Sequence, residues 1–329
     1  MRDKKGDGGP NDGKQALMTL RHILYTALAA LVVLTATSCQ KEEPPLPEPG
    51  HHGNTNANLG AAEVRRLEVP ALMKGADIHF LLHETTDTAT GAKVYNYCVE
   101  YHSDVFHSRW VAFRFDNSNK ARNVERSDEP FAPDPDLDSA LQLGTTSMGL
   151  ISRHTGTTYH RGHLVASADR LLDVESNVQT FYMTNMSPQI GDFNSGYWST
   201  LESIVRQWGS CTTYDTLYVC KGGTIAPGQC TLQPTVNAAG ASVTAAVPHY
   251  YFMAILGVSG GKYSSIAFWM AHDAHGYSWN NFCPRDEMMQ NACSVDSLEA
   301  LTGIDFFCNL PDTTEQRIER TYSRTAWVW

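Results

Sequence analysis

The sequence predicts a mixed α and β fold on the strength of three features. Aromatic and β-branched residues alternate along KVYNYCVEYHS (93–103) and RWVAFRFD (109–116), with the period of strands. NSGYWSTLESIVRQWG (194–209) and SVDSLEALTGI (294–304) follow helical spacing instead. No segment of about 20–50 residues recurs, which excludes stacked-repeat architectures. The chain has 329 residues, 42% of them hydrophobic and 10% aromatic, enough for one large core or two small ones.

Residues 1–38 read as an export signal. Arg21 precedes an apolar run from Ile23 to Ala36, too short for a membrane span of ~20 residues and right for a signal peptide. Met18 is the natural start of such a signal. Ala36-Thr37-Ser38-Cys39 places small residues before a Cys and resembles the lipobox of bacterial lipoproteins, in which Cys39 becomes the lipidated first residue. Ala36 stands where that pattern usually has Leu. Lys41-Glu42-Glu43 resembles the export tag of surface lipoproteins in certain Gram-negative bacteria. An exported chain, lipid-anchored to the bacterial outer membrane, is therefore expected.

Residues 39–65 are rich in Pro, Gly, Asn and charge and read as a flexible tether. Residues 66–329 have globular composition. Cleavage at Cys39 removes five of 25 basic and three of 35 acidic residues, leaving 20 and 32, a net charge of −12. That balance argues against passive, charge-driven binding of nucleic acid. It permits an enzyme that meets phosphate locally through a few arginines and a metal.

Seven Cys follow Cys39. An exported chain permits disulfides, and Cys220 with Cys230 and Cys283 with Cys293 are close enough in sequence to close short loops. No Cys-x-x-Cys pair supports a zinc site.

Along the globular part, DTLYVCKGGTI, AAVPHYYFMAILGV and YSSIAFWMAH read as strands, the second opened by an edge Pro. RSDEPFAPDPDLDSA reads as a loop. Ser294 is a candidate N-cap, with Gly303 near the helix stop. In 194–209, Trp198, Leu201, Val205 and Trp208 share one helical face, Glu202 and Arg206 are neighbours on the surface, and Gly209 is a natural stop.

The chemistry centres on YHRGHLVASADR (159–170). His163 alone is an ordinary structural histidine. Its neighbours change that reading. His160-Arg161-Gly162-His163 is followed by Thr184-Asn185-Met186-Ser187-Pro188-Gln189 and by Asn194-x-Gly196-x-Trp198-x-x-Leu201-Glu202. In order and spacing these segments resemble the DNA/RNA non-specific endonuclease family, which includes endonuclease G. SRWVAFRFD and LTGIDFFCNLPD extend the likeness over roughly residues 66–312. The resemblance implies an α+β, ββα-metal (His-Me finger) nuclease fold with a central, mainly antiparallel sheet flanked by helices. It also implies phosphodiester hydrolysis in DNA and RNA.

The resemblance assigns His163 as general base and Asn194 as the direct ligand of a Mg²⁺-type ion, with Mn²⁺ or Ca²⁺ as substitutes. Imidazole accepts a proton near neutral pH, and a hard cation with one amide ligand keeps most of its waters. Glu202 lies about 12 Å further along a continuous helix, too far to share the ion, so Asn194 is expected on an irregular lead-in that Gly196 permits and Glu202 is expected to act through metal-bound water. Arg161, Arg206 and, more loosely, Arg122 match arginines that contact phosphate. The family's first motif residue is Asp where this chain has His160. Two other readings compete: a non-catalytic nucleic-acid-binding surface protein on the same fold, and a zinc hydrolase with His154, His160 and His163 as ligands.

Overall fold

The computed structural model describes residues 53–87, 90–126, 131–324 and 327. The export signal, Cys39 and the first part of the tether lie outside the described residues. Among the described residues no helix is long and apolar enough to cross a membrane.

A seven-stranded sheet forms the centre. Its strands are β1 (Ile78–Thr86), β2 (Lys93–His102), β3 (His107–Phe115), β6 (Thr216–Gly223), β9 (Tyr250–Ser259), β10 (Lys262–Ala271) and β11 (Ala292–Cys293), in that spatial order. Every neighbouring pair is antiparallel. Side-chain alternation divides two cores across it. Tyr97, Val99 and Tyr101 of β2 join Phe113, Trp198, Leu201 and Trp208 on one face. Cys98, Trp110, Ala112 and Cys220 join Val295, Leu298, Phe306 and Phe307 on the other.

Two small antiparallel ribbons flank the sheet. One pairs β4 (Tyr159–His163) with β5 (Met186–Ile190), the other β7 (Cys230–Val236) with β8 (Ser242–Pro248). The helices are α1 (Ser147–Thr155), α2 (Val174–Gln179), α3 (Ser199–Ser210), α4 (Arg285–Met288), α5 (Val295–Thr302) and α6 (Asp312–Glu319). Ser294 caps α5 by accepting from Ser297 N–H, and Gly303 stops it at φ 64°.

Four expectations are corrected. AAVPHYYFMAILGV is two strands, because Pro248 ends β8 and the chain changes sheets at His249, whose N–H goes to Gln229 O (2.9 Å). Gly209 does not stop α3. A Cβ there would lie 2.5 Å from the Phe115 ring, so the glycine serves close packing of helix on sheet. All seven described Cys are free thiols; Cys220 points into the core from β6 while Cys230 lies on the outer ribbon. The tether does not extend to residue 65. Asn54 donates to Cys308 O (3.0 Å) and Leu310 O (2.6 Å), and Asn58 donates to Pro70 O (2.8 Å). Asn-rich composition suits a tether, yet the same amides satisfy main-chain carbonyls and fasten this stretch to the domain.

Candidate active site

The site is built from the β4–β5 ribbon and the helix that follows it. Gly162 shows why the two motifs travel together. A Cβ on Gly162 would sit 2.1 Å from Gln189 Oε1, so the buried Gln189 side chain crosses the ribbon through the space left by the glycine. The rest of the TNMSPQ segment clamps rather than faces the cleft. Thr184 donates a short hydrogen bond to Asp134. Asn185 accepts from Val165 N–H (2.7 Å) and donates to Val165 O (2.9 Å) and Thr180 O (2.7 Å). Ser187 Oγ lies 2.6 Å from His107 Nε2 and 2.5 Å from the Tyr251 hydroxyl.

A cleft of about 1020 Å³ opens over this platform, and His160, Arg161, His163, Asn194, Glu202 and Arg206 all line it. Arg122 does not; it donates to Ala168 O (2.8 Å), one residue behind the cleft wall. Arg126 and Arg153 line the cleft in addition, as do the exposed aromatics Trp279 and Phe282. None of these four was expected.

His163 packs edge-on against Phe181 (5.1 Å) and beside Phe131 (5.8 Å). Its Nε2 is buried without a hydrogen-bond partner. Burial pushes the imidazole pKa down to about 3, helped by the charges of Arg126, Lys221 and Arg161. The ring is therefore neutral at physiological pH, the form a base requires. A phosphodiester entering the cleft brings negative charge that opposes those cations and raises the proton affinity of the ring.

The lead-in to α3 is a π-helix, Phe193–Trp198, in place of a regular turn. It carries Asn194 at the cleft, as the irregular lead-in required. Asn194 Nδ2 donates to His160 Nδ1 (3.2 Å), which leaves Oδ1 as the available ligand atom. His160 therefore addresses Asn194.

Glu202 and Arg206 do not pair with each other. Lys221, on β6 and only 1% exposed, reaches Glu202 Oε1 at 2.7 Å. Arg206 Nε donates to Asp169 Oδ1 at 2.5 Å. Burial pushes the Glu202 pKa up and the Lys221 charge opposes that rise.

The donor set fits a hard, hydrated divalent cation. The amide side chain of Asn194 and the carboxylate of Glu202 line the cleft, and no cysteine does. The zinc reading is overturned. Among the described residues, the His, Cys, Asp and Glu groups compact enough to hold an ion are His83–Asp134–Asp136 and Asp296–Glu299–Glu319, and neither contains His154, His160 or His163. Both lie outside the cleft lining.

The chain is similar to several known nucleases. A nuclease of Nostoc sp. is 31% identical over 228 residues, covering 68% of this chain and 75% of the relative. The human mitochondrial nuclease EXOG is 25% identical over 238 residues, covering 70% and 60%. The crystal structure of the EndoG/EndoGI complex superposes with a TM-score of 0.51 at 24% identity, over 70% of this chain and 87% of that one, a likeness of fold. The sequence profile of the DNA/RNA non-specific endonucleases matches residues 81–313. With that match spanning the sheet, both motifs and the cleft, the chain belongs to the DNA/RNA non-specific endonuclease family.

Proposed function

We propose that the chain is a metal-dependent endonuclease that hydrolyses phosphodiester bonds of DNA and RNA with little sequence preference. The observation that carries this is the neutral imidazole of His163 lining one cleft together with Arg126, Arg161, Arg206 and the amide of Asn194. His163 takes a proton from a water aligned opposite the leaving 3′ oxygen. The water oxygen bonds to phosphorus as the bond to that 3′ oxygen breaks. The arginines bind non-bridging oxygens, contacts that carry no sequence information. Asn194 Oδ1 would hold a Mg²⁺-class ion, which supplies Lewis-acid stabilisation of the phosphate and the leaving oxygen. Glu202, kept near the cleft by Lys221, would orient water around that ion.

Export and lipid anchoring at Cys39 belong to the same proposal, supported by the apolar run and the small residues before Cys39. Loss of labelled-palmitate incorporation in Cys39→Ser checks it. For the chemistry, His163→Ala is expected to lose about 10²–10⁴ in rate on plasmid and RNA with saturating Mg²⁺, while the protein still unfolds in one cooperative transition. Equal turnover in that variant would sink the assignment.

A further inference from the structure

The loop between β10 and α4 turns two large apolar side chains outward. Trp279 is 72% exposed and Phe282 is 53% exposed. Single exposed apolar residues are ordinary on protein surfaces, so exposure alone identifies nothing. Their support and position set these two apart.

Ser278 and Asn281 exchange two backbone hydrogen bonds (2.9 and 3.0 Å), which places Trp279 at the tip of a tight turn. That turn rests directly on the π-helix. A Cβ on Gly196 would lie 2.2 Å from both Tyr277 C and Ser278 N, so only glycine admits the contact. The Tyr277 ring stacks parallel to Tyr197 (5.9 Å, 6°), and its hydroxyl donates to Glu287 Oε2 at 2.5 Å. The aromatic tip is thus fastened to the same π-helix that presents Asn194. Both aromatics line the cleft with Arg126, Arg153, Arg161 and Arg206.

Cations that track a phosphate backbone beside a fixed aromatic surface suit a polynucleotide whose bases are free to stack. In a duplex each base face is covered by its neighbours; an unpaired base offers its face to a ring. A platform already held in place loses little freedom on binding. We infer that Trp279 and Phe282 form a nucleobase-stacking subsite that favours single-stranded DNA or RNA over duplex. This rests on the phosphodiesterase reading above.

The test uses the full chain with two probes, an oligothymidylate and a blunt-ended duplex. Binding is followed by fluorescence anisotropy in the His163→Ala background, and kcat/KM is measured with His163 intact. Trp279→Ala is expected to weaken the oligothymidylate by about 5- to 160-fold, the usual range for one stacked base, and the duplex much less. Trp279→Phe, which keeps a ring, restores most of the loss. Equal factors on both probes for Trp279→Ala and Phe282→Ala, or no change on either, would overturn the subsite. If the parent chain neither binds nor cuts either probe, the phosphodiesterase reading itself fails and takes this inference with it.

Discussion

Lys221→Met should destabilise the protein far more than its partner-removing double variant does. The Nζ–Oε1 separation to Glu202 is 2.7 Å, and both side chains are buried. At an effective dielectric near 20, unit charges at that distance attract by about 6 kcal/mol. Removing two ions from water costs several kcal/mol each, so the intact pair contributes little net stability. Breaking it is different: Lys221→Met leaves the Glu202 carboxylate buried and unpaired, at a cost of about 3–5 kcal/mol. Glu202→Gln added to Lys221→Met removes the second charge, and the double variant is expected within roughly 2 kcal/mol of the parent. Urea unfolding near pH 7, with all four proteins of the cycle, measures the coupling. A single-variant cost below about 1 kcal/mol, or a double variant equal to the sum of the singles, would refute the buried-pair account. The double variant also separates stability from chemistry: it should fold and still cut poorly, because the carboxylate of Glu202 is gone from the cleft.

The remaining predictions concern pH, the ion and the ribbon. Burial pushes Glu315, Glu299 and Glu319 up to about 7, 8 and 10, so the folded chain holds protons that the unfolded chain releases above about 4.5. Their stabilisation is complete below that value, declines from there as pH rises, and is fully lost only above 7 to 10. Calorimetric Tm should therefore fall between about pH 7 and 9, above the range in which buried histidines titrate, and Glu319→Gln should flatten that fall; parallel slopes would refute it. His160→Asp puts a carboxylate beside Asn194, 3.2 Å from the present imidazole nitrogen, and should lower the half-saturating Mg²⁺ several-fold; coincident activity curves would place His160 outside the ion's reach. Gly162→Ala must displace Gln189 and should cost at least about 1–3 kcal/mol in unfolding free energy, with activity lost in step as the ribbon shifts.

What could be read from the sequence was whatever lies close together along the chain. The β2, β3 and β10 periods are visible because alternation survives in aromatic and β-branched runs. Strand β1 was missed because IHFLLHETT breaks alternation with paired leucines and interior histidines. Helix α1 was missed because SMGLISRHT carries a glycine and few apolar residues, and its stability comes from Met148 and Ile151 packed on Met183 and Met186. The β8–β9 break was hidden because both strands are apolar and the proline looks equally natural at either end.

The site divides along the same line. His163, Arg161, Asn194, Glu202 and Arg206 belong to two contiguous motifs, and the structure brings all five into one cleft. Lys221, Asp169 and Arg126 come from elsewhere in the chain, and spacing says nothing about them. One of them did leave a signal. A lysine in the middle of LYVCKGG, where its neighbours are buried, needs a buried partner, because an unpaired ammonium is not tolerated there. That requirement points to an acid in the core, and the structure supplies Glu202, which pairs with Lys221 in place of the Arg206 that helical spacing suggested. His160 makes the converse point. Three residues before His163 in sequence, it invites an account in which it tunes the base. The ribbon instead sends it to Asn194, with its ring against Gly191, where an added Cβ would lie 3.1 Å from Nε2. Replacing Asp by His at this position therefore alters the charge beside the candidate ion ligand, and its effect belongs to metal affinity before it belongs to proton transfer.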